Sequence, residues 1–197
     1  MNLYPFGRAA TFPLVHALFR IKYEGLEHIP PGGGYILACN HRSNFDPLLI
    51  SHKIRTQISY LAKEELTKIP AAGLIVASLG IIPIKRGKGD SSALERAVEV
   101  IQKGHILGIF PEGRRAKDGI PIRPRSGVAI IAGQTGADIL PVAVTYKNGV
   151  RAGSPVTVRY GPMIPNSEVA PKPDCTASVR DASRLIMDKI IELMDVD

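Results

Sequence analysis

His41 and Asp46 are the two residues whose types and spacing are best suited to chemistry, and they lie in the run Asn-His-Arg-Ser-Asn-Phe-Asp-Pro over residues 40–47. A histidine becomes an effective general base when a carboxylate fixes its tautomer and stabilises the imidazolium that forms. Asp46 follows His41 by five positions, whereas side chains on adjacent turns of one helix are three or four positions apart. The two side chains are therefore expected to meet across a corner between two elements.

The local sequence predicts such a corner. Residues 35–39 (Tyr-Ile-Leu-Ala-Cys) are typical of a buried strand, and Asp46-Pro47 is typical of a helix N-cap followed by the first helical residue. Two plainer interpretations stay open here, since Asp before Pro is a common helix start and a lone histidine is usually a surface or satisfied core residue. A Cys39 thiolate with His41 as its base is a poorer alternative, because residues two apart on a strand share a face without necessarily touching.

Three further strings follow along the chain: Gly-Ile-Ile-Pro-Ile-Lys-Arg at 80–86, Phe-Pro-Glu-Gly-Arg-Arg at 110–115 and Ile-Leu-Pro-Val at 139–142. Together with residues 40–47, and in this order, they resemble the glycerolipid acyltransferase family typified by 1-acylglycerol-3-phosphate acyltransferases. The family signature is an Asn-His-x4-Asp block, a Gly-x-Ile-x-Ile-x-Arg-like strand, Phe-Pro-Glu-Gly-Thr-Arg and a hydrophobic strand containing proline. The resemblance covers roughly residues 20–165.

The resemblance implies an enzyme that moves a fatty acyl group from an acyl thioester to the sn-2 hydroxyl of lysophosphatidic acid, which gives phosphatidic acid for phospholipid biosynthesis. The donor is expected to be acyl-CoA or acyl carrier protein, and no cofactor or metal is implied. A Gly-x-Ser-x-Gly elbow is missing from the sequence, which favours direct transfer over a serine acyl-enzyme. The site residues implied are His41 and Asp46 for catalysis, and Arg86, Glu112, Gly113 and Arg115 for binding the acceptor.

The basic members of this set suit a phosphate-bearing acceptor, because a guanidinium presents a planar fork of donors to phosphate oxygens. Arg115 matches the family arginine, and Arg86 is expected to approach from a neighbouring strand end. Arg114 departs from the family pattern, which has Thr or Ser there, so it either alters acceptor choice or points to solvent. Two other functions stay open: the same chemistry on glycerol-3-phosphate, another lysophospholipid or an amino-acid lipid, or a peripheral lipid-binding protein without turnover.

Composition narrows the class of protein. With 197 residues, 45% hydrophobic and 22% charged, the chain is expected to form one well-buried domain. Its net charge of +7 favours anionic partners such as acidic lipid headgroups or phosphorylated substrates. Nucleic acid is the weaker choice, because the chain has no Trp and no zinc-finger or aromatic-basic RNA-binding pattern.

The N-terminal segment, residues 1–20, is predicted to contact a membrane, and residues 21–197 to form the catalytic domain. No signal peptide of the usual form and no run of 18 apolar residues is present. The segment is expected either to lie in a bilayer interface or simply to pack on the core. The first option predicts a peripheral or monotopic protein on the cytoplasmic face of the cell membrane. The residues concerned are the apolar Tyr4, Phe6, Phe12, Leu14, Val15, Leu18 and Phe19, interleaved with Arg8, His16 and Arg20.

The elements that must position these residues alternate between strand and helix, which predicts an α/β fold with a mostly parallel mixed sheet covered by helices. Ligands of such sheets bind beyond the carboxyl ends of the strands, where His41, Arg86 and residues 112–115 are expected. Strands are predicted at 19–23, 35–39, 57–62, 80–85, 105–110 and 138–146, with a half-exposed edge strand at 156–160. Helices are predicted at 46–52, about 65–79, 92–103, 127–135 and 176–194.

Overall fold

A computed structural model describes residues 4–63, 81–84, 91–116, 119–172 and 175–194. The predicted alternation of strands and helices is present in these residues. The strands are β1 (Arg20–Glu24), β2 (Ile36–Cys39), β3 (Ile58–Lys63), β4 (Ile82–Ile84), β5 (Ile106–Ile109), β6 (Ile139–Tyr146) and β7 (Pro155–Tyr160). The helices are α1 (Tyr4–Leu18), α2 (Asp46–Ser51), α3 (Ser91–Gln102), α4 (Gly127–Thr135), α5 (Asn166–Val169) and α6 (Thr176–Met194), with a 3-10 turn at Leu26–His28.

The described strands form one seven-stranded sheet in the order β1-β7-β6-β2-β5-β3-β4. Strands β6, β2, β5, β3 and β4 run parallel to one another, and β7 pairs antiparallel with β6. Strand β1 pairs parallel with β7 at the outer edge. The α/β fold class with a mostly parallel mixed sheet is thereby confirmed.

Helices cover both faces of this sheet, as the fully buried central strands require. Leu37 of β2 faces a cluster that includes Val15 of α1 and Leu49 of α2. Its neighbour Ile36 faces the opposite cluster, which includes Ile186 of α6. Because successive strand residues point to opposite faces, one short apolar strand anchors both halves of the core. The central sheet is thus a well-packed support for the loops that follow the carboxyl ends of its strands.

Two features of the sequence prediction are altered. The strand predicted at 156–160 does alternate between buried and half-buried residues, but β7 is not an edge strand, because β1 pairs on its outer side. Asp46 is the first residue of α2, and Phe45 occupies the N-cap position without a capping side chain. The helix predicted at about 65–79 lies outside the described residues.

Helix α1 packs on the core and also keeps apolar side chains in solvent. Tyr4, Thr11 and Val15 are buried, and the Arg8 guanidinium donates to the backbone carbonyl of Ile54 at 2.8 Å. Phe6, by contrast, has 69% of its surface exposed. In the part of the chain that the structure describes, no helix combines the length and the apolarity that crossing a membrane requires.

Candidate active site

The parallel pairing of β2 with β5 brings the two most distinctive motifs to one edge of the sheet. His41 follows the end of β2, and residues 110–115 follow the end of β5. Two hydrogen bonds join them: the His41 N–H donates to Glu112 Oε1 at 3.2 Å, and the Ala116 N–H donates to the His41 carbonyl at 2.8 Å. The predicted meeting of these motifs at strand carboxyl ends is therefore present.

Asn40 makes the corner between β2 and the His41 loop. Its side-chain amide donates to the Val144 carbonyl at 3.0 Å, and its side-chain oxygen accepts from the Val144 N–H at 2.8 Å. The side chain thereby replaces the backbone ladder that β2 would otherwise continue against β6. The main chain is free to turn over the sheet edge while the ladder stays satisfied. Asn40 was part of the sequence motif, but its partner on a strand about a hundred residues away was not predictable from it.

His41 and Asp46 are in direct contact, as their spacing predicted. His41 Nδ1 lies 2.9 Å from Asp46 Oδ2, and the side chains are 18% and 0% exposed. Because Nδ1 is engaged, Nε2 is the ring nitrogen left for a substrate. Asp46 Oδ2 also accepts the backbone N–H groups of Arg42 and Ser43, each at 2.7 Å.

The predicted N-cap role of Asp46 is therefore wrong. Its carboxylate turns back toward the corner and accepts donors that precede α2, while no side-chain cap is made to the helix itself. Three hydrogen bonds hold Oδ2 of this buried side chain in place, and hydrogen bonds to an ionised group are stronger than those between neutral groups. This environment suits a group that orients an imidazole and stabilises its charged form.

Tyr146 is a further member of the site that the sequence did not reveal. This last residue of β6 donates its hydroxyl to Asp46 Oδ1 at 2.7 Å. Burial first, and the nearby Asp46 charge second, raise the pKa of Tyr146, so the hydroxyl keeps its proton and acts as a donor. The residue falls just beyond the hydrophobic 139–142 block, where nothing in the sequence separates it from an ordinary buried tyrosine.

An aromatic platform supports the histidine ring. The rings of His41 and Phe110 are stacked, with centroids 4.0 Å apart and an interplanar angle of 20°. Phe110 in turn stacks with Tyr60 of β3 at 5.9 Å and 14°. Together with the Asp46 bond, this platform restricts both the tilt and the rotation of the imidazole.

Glu112 is buried and holds the backbone of the site. It is 1% exposed, with Oε1 on the His41 N–H. Oε2 has no hydrogen-bond partner among the described residues. Burial raises the pKa of the Glu112 carboxyl, against the lowering effect of the backbone amides of His41 and Ile122. A buried carboxylate oxygen without a donor is costly, so Glu112 is a group that a ligand donor would stabilise.

The rest of the predicted acceptor loop has one constrained residue and two exposed ones. Gly113 adopts a left-handed φ of +67°, and a Cβ there would lie 2.7 Å from Arg125 Cδ. The loop therefore needs glycine at this position for its left-handed conformation, whereas the exposed Arg125 side chain could move aside. Arg114 and Arg115 are both exposed, so exposure does not distinguish the two expectations for Arg114. Arg86 lies outside the described residues.

A Cys39 nucleophile finds little support at this edge. Cys39 is fully buried, and burial raises the pKa of its thiol, followed by the charges of Asp46 and Glu112. A thiol held neutral in this way is a poor nucleophile. Across the described stretches of the chain, no group of three or more His, Cys, Asp or Glu side chains is arranged to hold a metal ion.

Comparison with known proteins gives consistent matches. A family model described as Acyltransferase matches residues 20–145, which is more than half of the chain. A 1-acyl-sn-glycerol-3-phosphate acyltransferase from Borreliella burgdorferi is 29% identical over 173 residues, and the match covers 82% of this chain and 69% of that protein. One of the same name from Bacillus subtilis is 28% identical over 124 residues, covering 62% of this chain and 61% of that protein.

A solved structure has the same fold. The crystal structure of the 1-acyl-sn-glycerophosphate (LPA) acyltransferase PlsC from Thermotoga maritima superposes with a TM-score of 0.73 at 24% identity. The match covers 98% of this chain and 78% of that one. The fold is therefore shared, with the match covering nearly the whole of this chain.

Proposed function

The chain belongs to the Acyltransferase family, and we propose that it transfers a fatty acyl group from an acyl thioester to the sn-2 hydroxyl of 1-acyl-sn-glycerol-3-phosphate (lysophosphatidic acid), giving phosphatidic acid. The observation that carries the proposal is the His41–Asp46 pair, with Nδ1 and Oδ2 at 2.9 Å, joined through Glu112 to the 112–115 loop, whose two arginines are exposed. The relatives named as 1-acyl-sn-glycerol-3-phosphate acyltransferases support the choice of acceptor.

In the proposed reaction His41 acts as the general base. Its Nε2 takes the proton of the acceptor hydroxyl as the oxygen attacks the thioester carbonyl, and Asp46 stabilises the imidazolium that results. The tetrahedral intermediate collapses with formation of the C–O bond and cleavage of the C–S bond. The imidazolium returns its proton to the departing sulfur, so the histidine is regenerated. The free thiol of coenzyme A or of the carrier protein is the second product.

In the proposed site, Arg115 binds the acceptor phosphate with its exposed guanidinium, which a phosphate can engage through two N–H groups. Arg86 supplies a second cation in this proposal, and the Gly113 turn allows the backbone to approach the ligand closely. Glu112 holds the His41 backbone N–H at 3.2 Å. The acceptor hydroxyl is thereby directed toward the imidazole.

The decisive experiment is mass spectrometry of lipids after purified protein is supplied with lysophosphatidic acid and either acyl-CoA or acyl carrier protein. Phosphatidic acid is the expected product, and His41→Ala should lower its rate of formation by on the order of 10²–10⁴, the usual contribution of a general base. Parallel reactions with glycerol-3-phosphate and lysophosphatidylcholine test the alternative acceptors. Near-normal turnover by folded His41→Ala would refute the assigned chemistry.

The acceptor site has a matched pair of variants. Arg115→Ala is expected to raise KM for lysophosphatidic acid with a smaller effect on kcat, since it removes binding to a part of the substrate that does not react. Arg114→Ala is the control, because Arg114 is adjacent and equally classed as exposed. Equal effects of the two substitutions would show that the loop attracts anions only through its total charge.

We also propose that the protein works on the cytoplasmic face of the cell membrane as a peripheral or monotopic enzyme, held in part by α1. Phe6, Phe12 and Leu14 of α1 are 69%, 46% and 45% exposed, and amphipathic segments of this kind insert at the headgroup boundary. Flotation with vesicles containing phosphatidylglycerol tests this. Phe6→Ser with Leu14→Ser should reduce binding, whereas Leu185→Ser, on the opposite face in α6 and 36% exposed, should not.

A further inference from the structure

Tyr146 controls one of the two oxygens of the buried carboxylate that holds the histidine. Asp46 Oδ2 receives His41 and two backbone amides. Oδ1 receives the Tyr146 hydroxyl at 2.7 Å, and no other donor to Oδ1 is found in the described part of the chain. Since Asp46 is 0% exposed, Oδ1 is out of contact with bulk solvent and depends on this donor.

The position of the Tyr146 hydroxyl is set by rigid surroundings. Tyr146 ends β6, which lies in the interior of the sheet between β7 and β2. Its ring is 6% exposed and meets the edge of Phe19 at 5.7 Å and 73°. Phe19 also packs against Phe45 at 5.4 Å, beside the start of α2. Groups on sheet interiors hold a site more accurately than groups on loops.

We propose that Tyr146 is a positioning residue of the reaction proposed above: by holding Oδ1 it fixes the rotation of the Asp46 carboxylate, and through it the orientation of the His41 ring. The inference rests on the proposed function for its kinetic consequence, although the geometry it concerns exists without substrate. Tyr146 does not touch the reacting atoms. Its effect reaches them through two hydrogen bonds, of 2.7 and 2.9 Å.

The physical reason is that donors on Oδ2 alone hold one oxygen in place but leave the carboxylate able to pivot about it, with Oδ1 as an unsatisfied buried acceptor. Loss of the Tyr146 donor leaves Oδ1 buried and bare, and leaving a buried charged acceptor unpaired is strongly unfavourable. The carboxylate then rotates or moves to recover donors. The imidazole follows, and a misplacement of about 1 Å costs about 10²-fold in rate.

Tyr146→Phe removes the hydroxyl and keeps the ring. We expect kcat to fall about 10- to 100-fold, while KM for lysophosphatidic acid and for the thioester stays within about twofold, because neither substrate contacts this residue. The matched control is Tyr160→Phe, which also removes a buried hydroxyl, in this case from a 2.7 Å bond to the Ile50 carbonyl. That control should lose stability without a comparable loss of kcat.

A second measurement reports the hydrogen bond between His41 and Asp46 in the absence of substrate. In proton NMR the His41 Nδ1–H bound to Asp46 should give a resonance far downfield, identified by its loss in His41→Ala. Tyr146→Phe should move it upfield or broaden it, and Tyr160→Phe should leave it in place. Phe19→Leu, which keeps the hydroxyl and loosens its ring, should cause a smaller change in the same direction.

Folded Tyr146→Phe with an unchanged His41 resonance would overturn the inference, as would an unchanged kcat in a protein that does form phosphatidic acid. If the wild-type protein forms no phosphatidic acid, the proposed function fails, yet the resonance still decides whether Tyr146 positions His41. A fall in kcat shared equally by Tyr160→Phe would also overturn it, because it would indicate a general loss of packing.

Discussion

Gly108 of β5 contributes to the packing that supports the His41 ring. A Cβ at this position would lie 2.3 Å from Tyr60 Cε1 and 3.0 Å from Ile58 Cγ2. Tyr60 stacks on Phe110, which supports the His41 ring. The missing side chain therefore provides the space in which the aromatic platform lies.

Gly108→Ala is expected to destabilise the fold by about 1–3 kcal/mol, the usual range for overpacking a core, and to lower the rate of acyl transfer because the platform must move. Thermal unfolding and initial rates measure the two effects. Gly127→Ala is the control, since a Cβ at Gly127 meets nothing within 4 Å; it should leave both unchanged or raise stability slightly. Wild-type activity in folded Gly108→Ala would contradict the role given to the platform.

At the scale of elements, the pairing of β2 with β6 ends next to the proposed catalytic histidine. The ladder pairs Cys39 with Val142, and the Asn40 side chain then takes over both backbone groups of Val144. Strand β2 can therefore end and turn without leaving a buried N–H or carbonyl unsatisfied. The turn delivers His41 to the edge of the sheet.

Asn40→Ala should cost about 2 kcal/mol or more, because it leaves both backbone groups of Val144 without their partner and each such loss costs about 1–3 kcal/mol. It should also reduce activity by loosening the corner. Urea unfolding and product formation are the measurements. Asn166→Ala is the matched control, since Asn166 also donates to backbone carbonyls, those of Ala132 at 2.8 Å and Ala137 at 3.1 Å, on a different junction. If both variants retain full activity when folded, Asn40 has no special role.

At the scale of the whole molecule, the contact between α1 and the rest of the fold contains a histidine that resists protonation. His52, just after α2, is 8% exposed, and its Nε2 has no partner among the described residues. The His16 ring of α1 stacks on it at 5.7 Å. Burial, followed by the nearby charges of His16, Arg8 and Lys53, lowers the pKa of His52 to about 4.

This lowered pKa predicts a pH dependence of stability. Between the ordinary value of 6.5 and about 4, the unfolded chain binds a proton at His52 that the folded protein does not. The free energy of unfolding should therefore fall as pH drops through that window. Above pH 6.5 the protein keeps the full stability contribution of the neutral His52. Thermal unfolding at a series of pH values measures the slope.

His52→Gln tests the source of this slope and should flatten the dependence of stability on pH. His105→Gln is the control: it changes an exposed histidine before β5 and should leave the slope unchanged. An equal slope in His52→Gln would assign the effect to other groups.

The same acidification is expected to loosen α1, because a charged His52 would face Arg8 and His16 across the contact. Flotation with vesicles at pH 5 and pH 7.5 would detect this change if α1 binds the membrane as proposed.

Much of the site was predictable from the sequence because its chemistry is local. His41 and Asp46 are five positions apart, and short spacing across one corner limits where they can point. The edge that they share with residues 112–115 followed from the rule that parallel strands end together. The α/β class followed from the alternation of apolar strands and helices. Helices 127–135 and 176–194 were predicted with the bounds found, the second because its apolar residues recur at helical spacing.

The tertiary structure alone decided which distant groups complete the dyad. Tyr146 reaches Asp46 and Val144 receives Asn40 across about a hundred residues, and no local pattern encodes a contact of that separation. It also showed that Asp46 serves the corner rather than the helix cap, since both uses of the carboxylate suit the same sequence and only the directions of the surrounding N–H groups distinguish them. Likewise β7 became an inner strand because β1 pairs with it, which depends on sheet order rather than on the alternation within β7. Residue types and spacing determined which reaction the site could perform. Long-range pairing determined which atoms hold His41 and Asp46 in place.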